Sequence, residues 1–344
     1  MSPTDHLRVV SNPPNPWHAS SVDWLGEAPL VEPEVRIDAS KSILSENDSP
    51  DIPFRWSVNP YRGCAHGCSY CYARPGHHYL DLGAGTDWER KLVVKPDAPA
   101  LLRTAFDAPR WRGELVVFSG VTDCYQPLEA AWRLTRQCLE VCREYRNPVS
   151  IITKGALIER DADLLAELGR EGWCTVSVSI PFFDEDRARA IEPWVPTPAR
   201  RFRVVEALAR AGVPVGVNVA PVIPGLSDSD LPLVLAAARD AGARFASTIL
   251  LRLPGPVREV FVERLHAALP ERAAKVVHQI EQCRGGGMSD SRFGARMRGT
   301  GERWRVIEAL FETTRRRLGY EEWPKVPDPS PFRRPGQAEQ LRLL

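Results

Sequence analysis

The chain has 344 residues, 43% of them hydrophobic, and a formal net charge of +1. That length buries one large core or two modest ones, and the near-neutral balance excludes a whole-molecule field aimed at nucleic acid or a membrane. Eight cysteines are too few for a disulfide scaffold, "MSPTDHLRVV" lacks a signal-peptide core, and no apolar run approaches the ~18 residues of a membrane span, so a cytoplasmic protein with reduced thiols is expected.

Residues 1–53, with eight prolines and little periodicity, are expected to be extended or disordered. "FRWSVN" (54–59) reads as the first strand and runs into "NPYRGCAHGCSYCYARPGHHYL" (59–80), whose cysteines are spaced C-x3-C-x2-C. "ELVVFSG" (114–120) is a strand, and "PLEAAWRLTRQCLEVCREY" (127–145) a helix with Leu128, Ala131, Trp132, Cys138, Leu139 and Cys142 along one face. The strand "PVSIITK" (148–154), the helix 161–172, the strand "CTVSVSI" (174–180) and the Thr-capped helix 197–212 follow. The strand 213–223, the helix 229–242 and the strand 245–253 continue the alternation.

Six strands alternating with helices specify parallel pairing with right-handed crossovers, in an open doubly wound sheet or a closed or partly closed barrel. In either, ligands sit at the C-terminal strand ends. The cysteine loop follows strand one, "TDCYQP" follows strand two, and Lys154 ends strand three. Ser177 and Ser179 share a face of strand four, Asn218 lies in strand five, and Arg252 is near the end of strand six.

Three cysteines without a fourth nearby leave three readings. A structural zinc site needs four ligands, for which His66, His77, His78 or Cys124 could supply the last. Unliganded core thiols are the bland reading. A [4Fe–4S] cluster on Cys64, Cys68 and Cys71, with one iron open to a small chelating molecule, suits the spacing best.

Several segments together resemble a known family: "NPYRGCAHGCSYCYARP", "KLVVKPDAP", "TDCYQPLE", "ITKGALIERD", "VSVSIPFFDED…EPWVP", "NVAPVIPGLSD" and "SRFGARMRG". They resemble the radical S-adenosylmethionine (SAM) superfamily, in the branch akin to spore photoproduct lyase and its uncharacterised bacterial relatives labelled "DNA repair photolyase". The resemblance covers residues 41–320. It implies a [4Fe–4S] cluster with SAM as the fourth ligand, cleavage of SAM to a 5′-deoxyadenosyl radical, and a flavodoxin- or ferredoxin-type electron donor. It places Tyr70 near the adenine, Thr122 and Asp123 near the methionyl group, and Lys154 by the SAM carboxylate. It places Ser179 by ribose or carboxylate, and the backbone of Ala220 by adenine, with Arg201 and Arg252 as weaker candidates.

One departure is informative. Spore photoproduct lyase carries a hydrogen-donating cysteine where "SGVTD" has Gly120, and Cys124, four residues on, is the candidate catalytic thiol in its place; a buried inert cysteine is the alternative. Cys138 and Cys142 read as core. Residues 284–318 hold nine arginines against four acidic residues, a composition that suits phosphate and makes nucleic acid a candidate substrate.

The expected architecture is α/β, a partial (βα)6 TIM-like barrel with an N-terminal extension and a helical C-terminal extension. Its divisions are 1–53, a radical SAM core 54–269, an Arg-rich helical extension 270–320, and a Pro-rich tail 321–344. The expected protein is a monomeric enzyme of unknown substrate. A non-catalytic iron–sulfur or zinc module, binding a partner through its Arg-rich part, is the alternative.

Overall fold

A computed structural model describes residues 33–171 and 173–336. Its strands are β1 (Glu34–Ile37), β2 (Leu44–Glu46), β3 (Trp56–Val58), β4 (Tyr61–Arg62), β5 (Lys91–Val94), β6 (Val116–Phe118), β7 (Val149–Thr153), β8 (Cys174–Ser179), β9 (Val215–Val222) and β10 (Phe245–Leu250). The helices are α1 (Thr86–Arg90), α2 (Ala98–Asp107), α3 (Glu129–Trp132), α4 (Leu134–Glu144), α5 (Ala162–Glu171) and α6 (Glu185–Ile191). They continue with α7 (Pro198–Arg210), α8 (Leu231–Asp240), α9 (Val257–Ala268), α10 (Pro270–Gln282) and α11 (Gly301–Arg317). None is long and apolar enough to cross a membrane, among the described residues.

Strands β3, β6, β7, β8, β9 and β10 lie side by side in chain order and all parallel, with β2 antiparallel on the β3 edge. This order settles which α/β solution the alternation produces. A doubly wound sheet reverses direction at a switch point, whereas strands laid down in sequence with one crossover hand keep every helix on one face. The sheet has the strand order of a partial (βα)6 barrel, with β2 and β10 as its edges. A second sheet, β1-β5-β4, flanks the cysteine loop and has no counterpart in the sequence reading.

The helix expected over 127–145 is broken in two. Arg133 takes a left-handed φ of 55° between α3 and α4. The cause is Glu129, whose buried carboxylate accepts the N–H groups of Thr135 (2.9 Å) and Arg136 (3.2 Å) and so caps α4 from within. Thr197 caps α7 as expected, accepting from Arg200 N (3.3 Å), with Pro198 in the first turn.

The main core lies between the arc and its helices and contains Cys124, Cys138, Cys142 and Cys174. A second core under the cysteine loop joins Cys68, Tyr70, Phe182 and Ile191 to α9 and α10 through Phe261 and Val276. Of the stretch 1–53, residues 33–53 carry β1 and β2, and residues 1–32 lie outside the described residues. The tail crosses the N-terminal strand ends. Glu321 N donates to Arg244 O (2.9 Å), and Arg334 donates to the carbonyls of Phe106 (3.1 Å), Ala108 (2.8 Å) and Trp111 (3.1 Å).

The two edges are bridged by the segment that follows α10. The loop between β2 and β3 presents Asp51, which pairs with Arg296 (2.6 Å) and accepts from Gly294 N (3.2 Å), while Leu250 of β10 donates to Met297 O (3.4 Å).

Candidate cofactor site at the strand ends

Cys64, Cys68 and Cys71 occupy the loop between β4 and Arg74, at the C-terminal end of the arc. Cys64 and Cys68 are buried, Cys71 is half-buried, and all three are free thiols. They lie within electrostatic reach of one another, since Cys68 feels Cys71 and Cys64, and Cys71 feels Cys64. Burial pushes the thiols of Cys68 and Cys71 up; Lys154 pulls both back, and Arg74 pulls on Cys71. A thiophilic metal group that displaces those protons would remove the burial penalty and leave the two cations as partners. Three thiols beside fixed positive charge fit a [4Fe–4S] cluster held through three irons. Among the described residues no three His, Cys, Asp or Glu side chains converge on a single-ion site.

The loop is held from behind by Arg74. Its buried guanidinium donates to Cys68 O (2.9 and 3.0 Å), Gly67 O (3.1 Å), Ala84 O and Gly85 O (both 2.9 Å), and pairs with the buried Glu89. Gly67 is required by its φ of +63° and by the Trp194 ring, whose Cδ1 would lie 2.9 Å from a Cβ.

His66, a candidate fourth ligand, instead supports the first. Its Nδ1 pairs with Asp123 Oδ2 (3.4 Å), and Cys64 lies within electrostatic reach of the ring. Burial works against its cation, but Cys64 and Asp123 outweigh burial and raise its pKa to about 10. His77 and His78 are buried; His77 Nε2 faces Lys91 O (2.9 Å), and burial lowers its pKa to about 4.

The rim residues divide into two groups. Asp123 is a tie within the protein, accepting from Thr153 Oγ1 (2.6 Å), Lys154 N (2.7 Å) and Tyr125 N (2.9 Å). Burial raises its pKa, but His66 and these donors hold it down at about 2. Thr122 Oγ1 donates to Gly63 O (2.6 Å) and accepts from Gln126 Nε2 (3.0 Å), joining the same rim to the cysteine loop.

Around the thiols the side chains are differently placed. Lys154 holds its ammonium 5.6 Å from the Tyr70 ring centroid. Tyr70 is buried and donates to Glu192, which pairs with Arg201 (2.7 Å); Arg201 also donates to Ser179 O (2.8 Å). Thus Tyr70, Lys154, Ser179 and Arg201 belong to one network. In register, Ser179, Asn218 and Ser247 form a polar row across β8, β9 and β10, and Asn218 Oδ1 accepts from Ser247 Oγ (3.2 Å). Ala220 is buried in β9 two residues beyond Asn218.

Cys124 is not on the rim. It is fully buried in the main core, and burial raises its thiol well above the ordinary range. Gly120 does lie at the mouth, where its carbonyl accepts from the half-exposed Tyr72 hydroxyl (2.7 Å). The Arg252 guanidinium stands 5.6 Å from the Tyr72 ring centroid. Arg74, Glu192 and the supporting role of His66 escaped the sequence reading, because only burial distinguishes them from surface charge. The lone arginine among the small residues of "CYARPG" was the available signal for Arg74.

An α/β arc with a three-thiol loop at its strand ends defines a class of cofactor-dependent radical enzymes. The family model described as "Radical SAM superfamily" matches residues 58–238, and the chain belongs to that superfamily. Membership implies a [4Fe–4S] cluster and S-adenosylmethionine. An uncharacterised protein of Mycobacterium tuberculosis is 39% identical over 238 residues, 68% of this chain and 70% of that protein. An uncharacterised protein of Methanocaldococcus jannaschii is 30% identical over 194 residues, 56% of this chain and 69% of that protein. Among solved structures, spore photoproduct lyase complexed with dinucleoside spore photoproduct superposes with a TM-score of 0.59 at 14% identity, covering 84% of this chain and 81% of that chain. A mutant of that lyase with bound AdoMet and dinucleoside spore photoproduct superposes with a TM-score of 0.56 at 16% identity, covering 84% and 80%. At such identities the likeness is one of fold.

Proposed function

We propose that the protein is a radical SAM enzyme in which Cys64, Cys68 and Cys71 hold the cluster and the Tyr70–Lys154–Ser179 rim receives S-adenosylmethionine. When bound, the cluster and S-adenosylmethionine supply reductive cleavage of the latter and a 5′-deoxyadenosyl radical that takes a hydrogen atom from a substrate. The protein's part is placement. Arg74 fixes the loop backbone, His66 stands between Cys64 and Asp123, and Lys154 supplies a cation to the thiolates and to a carboxylate brought near them. Ala220 offers backbone, and Thr122 and Asp123 hold the rim against the cysteine loop. The observation that carries this reading is the three-thiol loop at the mouth of an in-order parallel arc, with His66 turned to Asp123 rather than completing a four-ligand set.

The mouth favours a flat, anionic substrate. Tyr72 is 50% exposed under Arg252, and Phe293 is 61% exposed beside Arg296; Asp51 already neutralises Arg296, so the anionic preference rests on Arg252. Aromatic faces with guanidinium partners receive nucleobases and their phosphates, in keeping with the dinucleoside bound by the structural neighbour.

The test is anaerobic reconstitution of the wild type and of Cys64→Ala, Cys68→Ala and Cys71→Ala. About four irons and four sulfides per wild-type chain, their loss in each variant, and 5′-deoxyadenosine formed only by the wild type are expected. Four irons retained by the triple variant would sink the assignment. Iron without any cleavage would favour the non-catalytic module.

A further inference from the structure

Behind the cysteine loop stands an aromatic wall that the rim does not account for. Trp88, in α1, is buried and packs with Cys64 and Ala73, and Cys71 packs against the same group. Its backbone is tied to the loop as well, since Trp88 O accepts from Cys64 N (3.1 Å). Gly63 permits the close approach: with a φ of +72°, it has no Cβ, which would lie 2.9 Å from both Trp88 O and His77 Cε1.

The indole nitrogen is the anomaly. Trp88 Nε1 is buried and has no hydrogen-bond partner among the described residues. A buried N–H is rarely left so, because nothing replaces its lost hydration. Trp111 shows the usual outcome, donating through Nε1 to Asn147 Oδ1 (2.9 Å). Trp56 also leaves Nε1 unpaired, but it packs against the main core rather than against the thiols. The His77 ring, 4.9 Å from Trp88 between centroids, is no acceptor for it, since Nε2 faces Lys91 O (2.9 Å) and Nδ1 is itself unpaired. Of the side chains packed with Trp88, Ala73 has nothing to accept with, which leaves the sulfurs of Cys64 and Cys71. A neutral thiol is a weak acceptor, whereas sulfur that carries negative charge is a strong one.

We propose that Trp88 Nε1–H donates to a sulfur of the iron–sulfur group held on Cys64, Cys68 and Cys71, and so helps to set how readily that group takes an electron. The proposal rests on the cluster reading above and adds a contact made by a donor rather than by a ligand. A hydrogen bond to sulfur favours the one-electron-reduced form, whose sulfurs are more negative, over the oxidised form, and so raises the reduction potential. Lys154 and Arg74 act on the same thiols through charge at a distance. Trp88 carries no charge and acts only where it touches, so its effect is tied to the presence of the N–H.

The test uses the full chain, labelled with 15N at the indole nitrogen of tryptophan, reconstituted anaerobically and reduced with dithionite without S-adenosylmethionine. Pulsed electron paramagnetic resonance of the wild type should show a 15N coupling to the cluster spin that is kept in Trp194→Phe and lost in Trp88→Phe. Trp194 is the control because its indole lies against Gly67, beside Cys68. Trp88→Phe keeps an aromatic ring and removes the N–H; at equal iron content its midpoint potential should fall by about 59 mV, a tenfold shift in the one-electron equilibrium. No 15N coupling in the wild type overturns the contact, and so does a coupling that survives Trp88→Phe or vanishes in Trp194→Phe. The wild-type and Trp194→Phe spectra decide the matter even where Trp88→Phe fails to fold. An unchanged midpoint in Trp88→Phe at wild-type iron content overturns the effect on the potential. A wild type that takes up no cluster overturns the cluster reading and this proposal with it.

Discussion

Arg74 is a fully buried cation whose five donors are nearly all spent on backbone carbonyls, two of them in the cysteine loop. A guanidinium placed this way is a brace: its planar fork fixes where Gly67 and Cys68 stand, and Glu89 cancels its charge. Removing one partner strands the other. Arg74→Met should therefore cost about 3–5 kcal/mol in denaturant unfolding, because Glu89 is left buried without its partner. Arg74→Met/Glu89→Gln should recover stability yet still hold iron poorly, because the loop carbonyls remain unbraced. Iron retention equal to wild type in the double variant would reduce Arg74 to a folding role. Lysine would not substitute, having a single nitrogen for several carbonyls.

The presence and parallel direction of the arc's six strands were open to reading in the sequence, because the apolar runs alternate with helices; their order was not, since the same alternation suits a doubly wound sheet. The cysteine triad was equally open, since its spacing is local. What escaped depends on partners far away in sequence. The flanking sheet rests on β4, two residues long, and on β1, which is exposed throughout. Glu129 looked like an ordinary first-turn acid, and only its burial turns it into the cap that splits the helix. Cys124 sits in a rim segment by sequence and in the core by packing, since the chain turns inward there: Thr135 Oγ1 donates to its carbonyl (2.6 Å). Gly216 shows the same dependence within β9. A Cβ there would lie 2.7 Å from Trp323 Cη2 and 2.8 Å from Phe245 O, so the strand is bare where the tail indole covers it. Gly216→Val should destabilise by about 1–3 kcal/mol through overpacking, as read in urea denaturation. An unchanged midpoint would mean that Trp323 does not seat against β9.

At the scale of the molecule, the arc has a sealed end and an open one. The tail laces the N-terminal strand ends, from Arg244 before β10 to Gly113 before β6, where Ser330 Oγ donates to Gly113 O (2.6 Å) and Phe332 stands 6.0 Å from Phe106. The other end presents the cysteine loop and the mouth. Across the gap between free edges, Asp51 and Arg296 tie the β2–β3 loop to the segment that follows α10, and Arg296 also contacts Ser49. Carrying much of this closure on one ion pair leaves it weak. Asp51→Ala should make tryptic cleavage of the native protein between Arg292 and Arg298 several-fold faster, with little change in global unfolding. Cleavage at the wild-type rate would show that the Leu250–Met297 hydrogen bond holds the segment by itself.

That bridge has a mechanical consequence. The margins of the arc meet through the Asp51–Arg296 pair and the Gly294 and Leu250 hydrogen bonds, outside the strand ladder of the sheet. Parting them would unpair no two strands of the arc, so this seam can give while the sheet keeps its full cohesion.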